Sequence, residues 1–167
     1  MLGYVCRNFT ESPSSLKLLL YKTLIRSKLK YAAAVWDSHY KKIITSLEMV
    51  NNNAVHFILS NFNRGASVTS MKTYLSLQPL ACRRKIIRLS LFHKLYHHYT
   101  HWNALIAPPH YASSRTDYRH KVGISTFHTL SAFHSFLPRA SCEWNHLPAE
   151  IIDINDKHFN NAIANIV

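Results

Sequence analysis

From Leu16 to about Tyr31 the apolar positions recur at helical spacing on two faces. Leu16, Leu20, Leu24 and Tyr31 share one face, and Leu18, Tyr21, Ile25 and Leu29 share another. Lys22, Arg26 and Lys30 sit four residues apart on the stripe between them. A helix apolar on two sides is expected to be wedged between neighbours. Ser12-Pro13-Ser14-Ser15 opens it, with Pro in the first turn. The run Ala32-Ala33-Ala34-Val35-Trp36 then turns a corner, after which Asp37 or Ser38 is placed to cap a second helix.

In that second helix Ile43, Leu47, Val50, Ala54 and Phe57 alternate steps of four and three, a packing seam. The pattern ends near Asn61, before Arg64-Gly65. A short helix is expected over Ser70–Leu75. Pro79 opens a third long one reaching about Tyr99, with Leu80, Ile87, Leu91 and Leu95 on one face and Arg84 and Arg88 near its edge. Beyond Trp102 the periodicity fades. Pro108-Pro109 marks a break, residues 110–140 are short-patterned and rich in Ser, Thr and His, and residues 122–130 have room for a short strand. Trp144-Asn145-His146-Leu147-Pro148 reads as a turn closing a short helix, and Phe159, Ile163 and Ile166 mark a final one. The expected fold is mainly α, divided into a basic helical region 1–102 and an irregular segment 103–167 with short helices.

Composition supports a packed core, since hydrophobic residues make up 47% of the 167 and aromatics 12%. Glycine is confined to Gly3, Gly65 and Gly123, which favours helix. No apolar run approaches the ~20 residues that cross a bilayer, and the opening residues MLGYVCRNF lack the order of a signal peptide. Cys6, Cys82 and Cys142 are odd in number and far apart, so the expected compartment is reducing, nuclear or cytoplasmic.

Charge changes the picture most. The net +12 lies wholly in the first hundred residues, and the remainder balances to zero. This asymmetry points to a polyanion such as RNA or DNA, although a solvated basic face would carry the same count. The strongest contact candidates are Lys22, Arg26 and Lys30, with Arg83, Arg84, Lys85 and Arg88 at the start of the third long helix. Trp36 and Trp144 read as packing residues, because large aromatics usually serve cores.

Catalytic chemistry is poorly supplied. No G-x-S-x-G elbow, Walker loop or dinucleotide fingerprint occurs, and no two Asp are adjacent. His93, His97 and His101 repeat at helical spacing, and Cys142 precedes His146 by four, yet neither set closes a four-ligand site. No metal, no cofactor and no independent activity are expected of this chain.

Five stretches occur in a telling order: LGYVCRN (2–8), SSLKLLLYKTLIRSKLKYAAAVWD (14–37), ITSLEMVNNNAVHFIL (44–59), SVTSMKTYLSLQPLACRRK (67–85) and SFLPRASCEWNHLP (135–148). Together they resemble the C-terminal region of LINE-type, non-LTR retrotransposon endonuclease–reverse transcriptases, of the jockey-like and tick-transposon kind. The resemblance spans nearly the whole chain. It implies a bundle-like, thumb-type appendage and post-polymerase segment that helps hold RNA template and template–primer duplex. It also implies that the catalytic Asp pair and its Mg²⁺ belong to a polymerase core outside this chain, a candidate partner, and that Met1 opens a truncated copy or partial gene model. A free-standing basic RNA- or DNA-binding module and a non-functional transposon remnant remain the alternatives. The chain departs from the family where Asn51-Asn52-Asn53 replaces a Gln-Arg pattern, where Ser27 replaces Pro and where Cys6 replaces Arg. The Asn run accordingly reads as a degraded basic patch.

Overall fold

A computed structural model describes residues 1–31, 33–63, 65–98, 106–109, 120–124 and 129–166, without the side chains of Val35 and Trp36. The fold is mainly α, and no strand occurs among the described residues. Residues 122–124 of the expected strand are irregular, and 125–128 lie outside the description.

The chain forms two compact units. One comprises Met1–Ala33 and Ser38–Arg83, and the other Ala34–Asp37 and Arg84–Val167. The boundary therefore falls inside the third long helix, not near residue 102. The reason is where its side chains pack: Leu80 is buried in the first unit, whereas Leu89 and Phe92 join the core of the second.

In the first unit, α1 (Leu2–Asn8) precedes a long helical run. That run consists of α2 (Ser14–Leu20), a π-helical turn (Tyr21–Ile25) and α3 (Arg26–Lys30). The hydroxyls of Thr23 and Ser27 donate to carbonyls one turn back, at Leu19 and Thr23. Such local bonds compete with the regular ladder and bend helices. Of the two apolar faces, the one bearing Tyr21 and Ile25 is buried, while Leu16, Leu19 and Leu24 on the other side are exposed.

After α4 (Ala33–Trp36) comes α5 (Lys41–Leu59), whose N-cap is Tyr40 rather than Asp37 or Ser38. It ends where Ser60 adopts a left-handed conformation, with φ 49°. The expected seam holds only in its C-terminal half: Ile43 is 44% exposed and Leu47 and Val50 are half-buried, whereas Ala54 and Phe57 are buried together with Asn51, Val55 and Ile58. Then α6 (Val68–Tyr74) starts at Ser67, whose side chain accepts from the Ser70 N–H. Val5, Tyr21, Ile25, Val55, Phe57, Ile58, Met71 and Leu77 form this unit's core.

The second unit takes most of α7 (Leu80–His98) and adds α8 (Leu130–Phe133), α9 (Phe136–Trp144), α10 (Ala149–Ile152) and α11 (Asp156–Ala164). Trp144 is fully buried among Leu89, Phe92, Val122, Ile152, Phe159 and Ile163. Its indole N–H donates to the His120 carbonyl at 2.9 Å. Asn145 next to it pairs both ways with the Val122 backbone, accepting at 2.9 Å and donating at 2.8 Å. Gly123 lets residues 107–108 approach closely: its N–H donates to the Ala107 carbonyl at 2.7 Å, and a Cβ there would lie 2.3 Å from the Pro108 carbonyl oxygen.

Candidate nucleic-acid interface and buried ion networks

The seven candidate cations divide by burial. Lys22 and Lys30 are exposed, as is Lys28 beside them, and Arg26 is half-buried. Burial pushes the Arg26 pKa down, against the nearby Tyr21. Lys22 lies within the π-helical turn and Arg26 and Lys30 in the α-helix after it, so these residues do not keep a straight α-helical stripe. Arg83 and Lys85 are half-buried, and the Arg83 Nε is enclosed without a hydrogen-bond partner among the described residues.

Arg84 and Arg88 do not face solvent, which corrects their placement on a basic surface. They are 4% and 2% exposed. The Arg84 Nε lies 2.7 Å from Asp37 Oδ1, in ionic contact without hydrogen-bond alignment. Arg88 donates to Asp37 Oδ2 at 2.6 Å and holds Glu143 with two bonds, at 2.9 and 2.5 Å. Arg139 approaches the same Asp37 carboxylate at 3.2 Å and Glu143 at 3.7 Å. Three guanidiniums thus share two carboxylates, with Asp37 touching all three. Taking these charges out of water is costly unless each is paired, so the set stands or falls together.

Its sequence signal was present but misassigned. Arg84, Arg88, Phe92 and Leu95 occupy one helical stripe, and all four are buried. Asp37, read as a helix cap, instead neutralises that stripe.

A second network lies within the first unit. Glu48 accepts from Lys72, from the Asn51 amide at 3.0 Å and from the Leu80 N–H at 3.1 Å. Burial alone would raise its pKa, but these donors and the Lys72 charge hold it below the ordinary carboxylate value. Asn51 in turn accepts from the Tyr21 hydroxyl at 2.6 Å. Burial, with a smaller contribution from Glu48 and against Arg26, pushes that phenol up to about 12.

Asn51 is 1% exposed, so this member of the Asn run is an interior fastener and not part of a lost surface patch. Lys17 is withdrawn from solvent as well. Its ammonium donates to the Ser60 hydroxyl at 2.7 Å and lies 5.0 Å from the centre of the Phe57 ring.

The histidines act as fasteners too. His93 is buried with Nδ1 2.8 Å from Asp156 and Nε2 3.1 Å from the Ile152 carbonyl. His97 reaches the same carbonyl at 3.1 Å, and His98 reaches Asp156 at 3.0 Å. Burial and the neighbouring His97 push the His93 pKa down, against the pull of Asp156 and the Ile152 carbonyl. The His146 ring lies 2.6 Å from the Cys142 carbonyl, a local tie within one turn. Among the described residues no three His, Cys, Asp or Glu gather as a metal site, and no helix is long and apolar enough to cross a membrane. His101 and the Trp36 side chain lie outside the described residues.

In comparisons with protein-family models, curated proteins and solved structures, the chain finds no match.

Proposed function

We propose that this chain is a thumb-like and post-polymerase segment of a LINE-type non-LTR retrotransposon reverse transcriptase. In this reading it holds nucleic acid and buttresses a polymerase core, and it has no catalytic centre of its own. The observation that carries this reading is the ordered set of motifs together with where their polar residues meet. Asp37, Arg84, Arg139 and Glu143 come from three of the motifs and form one network. Glu48, Lys72 and the Leu80 N–H come from two of them and form the other. The motifs supply the fold's polar joints, as expected of a scaffold rather than a reaction centre.

One feature favours a segment that works against a partner over a free-standing module, and a second bears on nucleic-acid contact in either. Leu16, Leu19 and Leu24 leave an apolar helix face open. Lys22, Lys28 and Lys30 are exposed and form no ion pair among the described residues, so phosphates can reach them. With Arg84 and Arg88 buried, these lysines are the leading contacts in the first unit.

The test is binding of the full chain to a fluorescent single-stranded RNA over a series of salt concentrations. Each phosphate contact on a single strand contributes about 0.7 to the log–log slope. Replacing Lys22, Lys28 and Lys30 together with Gln should flatten the slope by about 2 if all three touch phosphate. An unchanged slope would refute the assignment.

A further inference from the structure

A cleft of about 450 Å³ opens in the first unit, with Asn53, His56, Phe57, Phe62 and Asn63 among its lining residues. Its volume falls within the range of small-molecule sites. None of these residues belongs to either ion network, and none carries a formal charge when His56 is neutral.

The polar groups around the cleft keep unused hydrogen-bonding capacity. His56 Nδ1 lies 2.7 Å from the Asn61 carbonyl. That contact fixes the proton on Nδ1 in the neutral ring and leaves Nε2 as an acceptor. Asn63 Oδ1 is engaged by the Gly65 N–H, and its NH₂ group makes no hydrogen bond among the described residues. The Asn53 amide makes no hydrogen bond among the described residues, and its residue is exposed. Phe62 is 72% exposed, and its ring lies within 20° of parallel to His56 at a centroid distance of 6.5 Å. Phe57, 5% exposed, contributes the apolar floor.

Uncharged amides, a ring acceptor and an exposed aromatic face match a flat, neutral heteroaromatic ligand. The described lining side chains offer a bare phosphate no formal positive charge, since the Lys17 ammonium over the Phe57 ring is spent on the Ser60 hydroxyl, and an aliphatic ligand would make no use of the Asn53 and Asn63 amides. We infer that this cleft takes one unstacked nucleobase, with adenine preferred. An unengaged Asn amide can donate to and accept from adenine's N6/N7 edge, while an aromatic face supplies stacking. The inference rests on the nucleic-acid reading only for the source of the base.

Three probes of the full chain separate the two ideas: adenosine, oligo(A) RNA, and an abasic oligomer of equal length. Phe62→Ala and Asn53→Ala alter exposed side chains, so the fold should survive, as a far-UV spectrum checks. Phe62→Ala should weaken oligo(A) binding about 5- to 150-fold, the equivalent of one stacked base, and leave abasic binding unchanged. Asn53→Ala should reduce the preference for adenine over uracil. Adenosine should shift the amide resonances of residues 53–57 in the parent and not in Phe62→Ala.

If abasic RNA binds but Phe62→Ala changes neither oligo(A) nor adenosine binding, the pocket is overturned and the electrostatic reading stands. If adenosine binds and the abasic oligomer does not, the pocket stands and that reading fails. Loss of self-association in Phe62→Ala, with adenosine having no effect, would mean that the cleft packs against protein, and the inference falls.

Discussion

Asp37→Ala should destabilise the second unit far more than removal of one small side chain suggests. The Asp37 side chain is 6% exposed and touches Arg84 at 2.7 Å, Arg88 at 2.6 Å and Arg139 at 3.2 Å. Without it, Arg88 and Arg139 keep only Glu143, Arg84 loses its ion-pair partner, and the network moves from one surplus positive charge to two. Breaking a buried ion pair by deleting one partner costs about 3–5 kcal/mol, a large share of a typical stability of about 5–15 kcal/mol. The loss should appear as a lower urea midpoint at unchanged slope. It should localise by hydrogen exchange to residues 88–95 and 139–144.

The charge argument makes a second, sharper demand. Adding Arg84→Met to Asp37→Ala removes one orphaned cation and should recover part of the loss, with a coupling of about 0.5–3 kcal/mol. Asp37→Asn keeps the volume but not the charge, and should behave like the Ala variant. A cost below about 1 kcal/mol for Asp37→Ala, typical of an exposed pair, would refute the buried-network account. So would simple additivity with Arg84→Met.

Other outcomes follow from the same geometry. Trp144→Ala should cost about 3–5 kcal/mol by leaving a cavity among Phe92, Ile152 and Phe159; thermal melts of the variant and parent check it. The Glu48 pKa is depressed in the fold, so its contribution is complete above its ordinary value of 4.5 and is lost as pH falls through the lower folded value. Glu48→Gln should therefore flatten the acid limb of the stability–pH curve. His93 is likewise depressed, and its contribution is complete above its ordinary 6.5 and fades as pH falls below it; His93→Gln should remove that part of the curve. Purified chain should extend no primer with Mg²⁺ or Mn²⁺, since no Asp pair occurs in the sequence. Extension that survives repurification and is abolished by replacing an Asp of this chain would overturn that expectation.

Local periodicity by itself determined much of this protein. It marked the run from Ser14 to Lys30, the C-terminal end of α5 and nearly the full span of α7, because 3.6-residue spacing and helix punctuation act over neighbouring residues. It also placed the excess positive charge in the first hundred residues. Tertiary structure decided which of two apolar faces is buried, since Tyr21 and Ile25 compete with Leu16 and Leu24 only when another helix arrives. It also decided the fate of the polar residues. Asp37 reads locally as a helix cap, Arg84 and Arg88 as a basic face, and Asn51 as part of a polar run. Each is instead buried against a partner thirty or more residues away in the chain, and Asn51 also against Glu48 one helical turn away. A charged side chain enters a core only when its counter-charge is already enclosed there, and no local pattern announces where that counter-charge will come from.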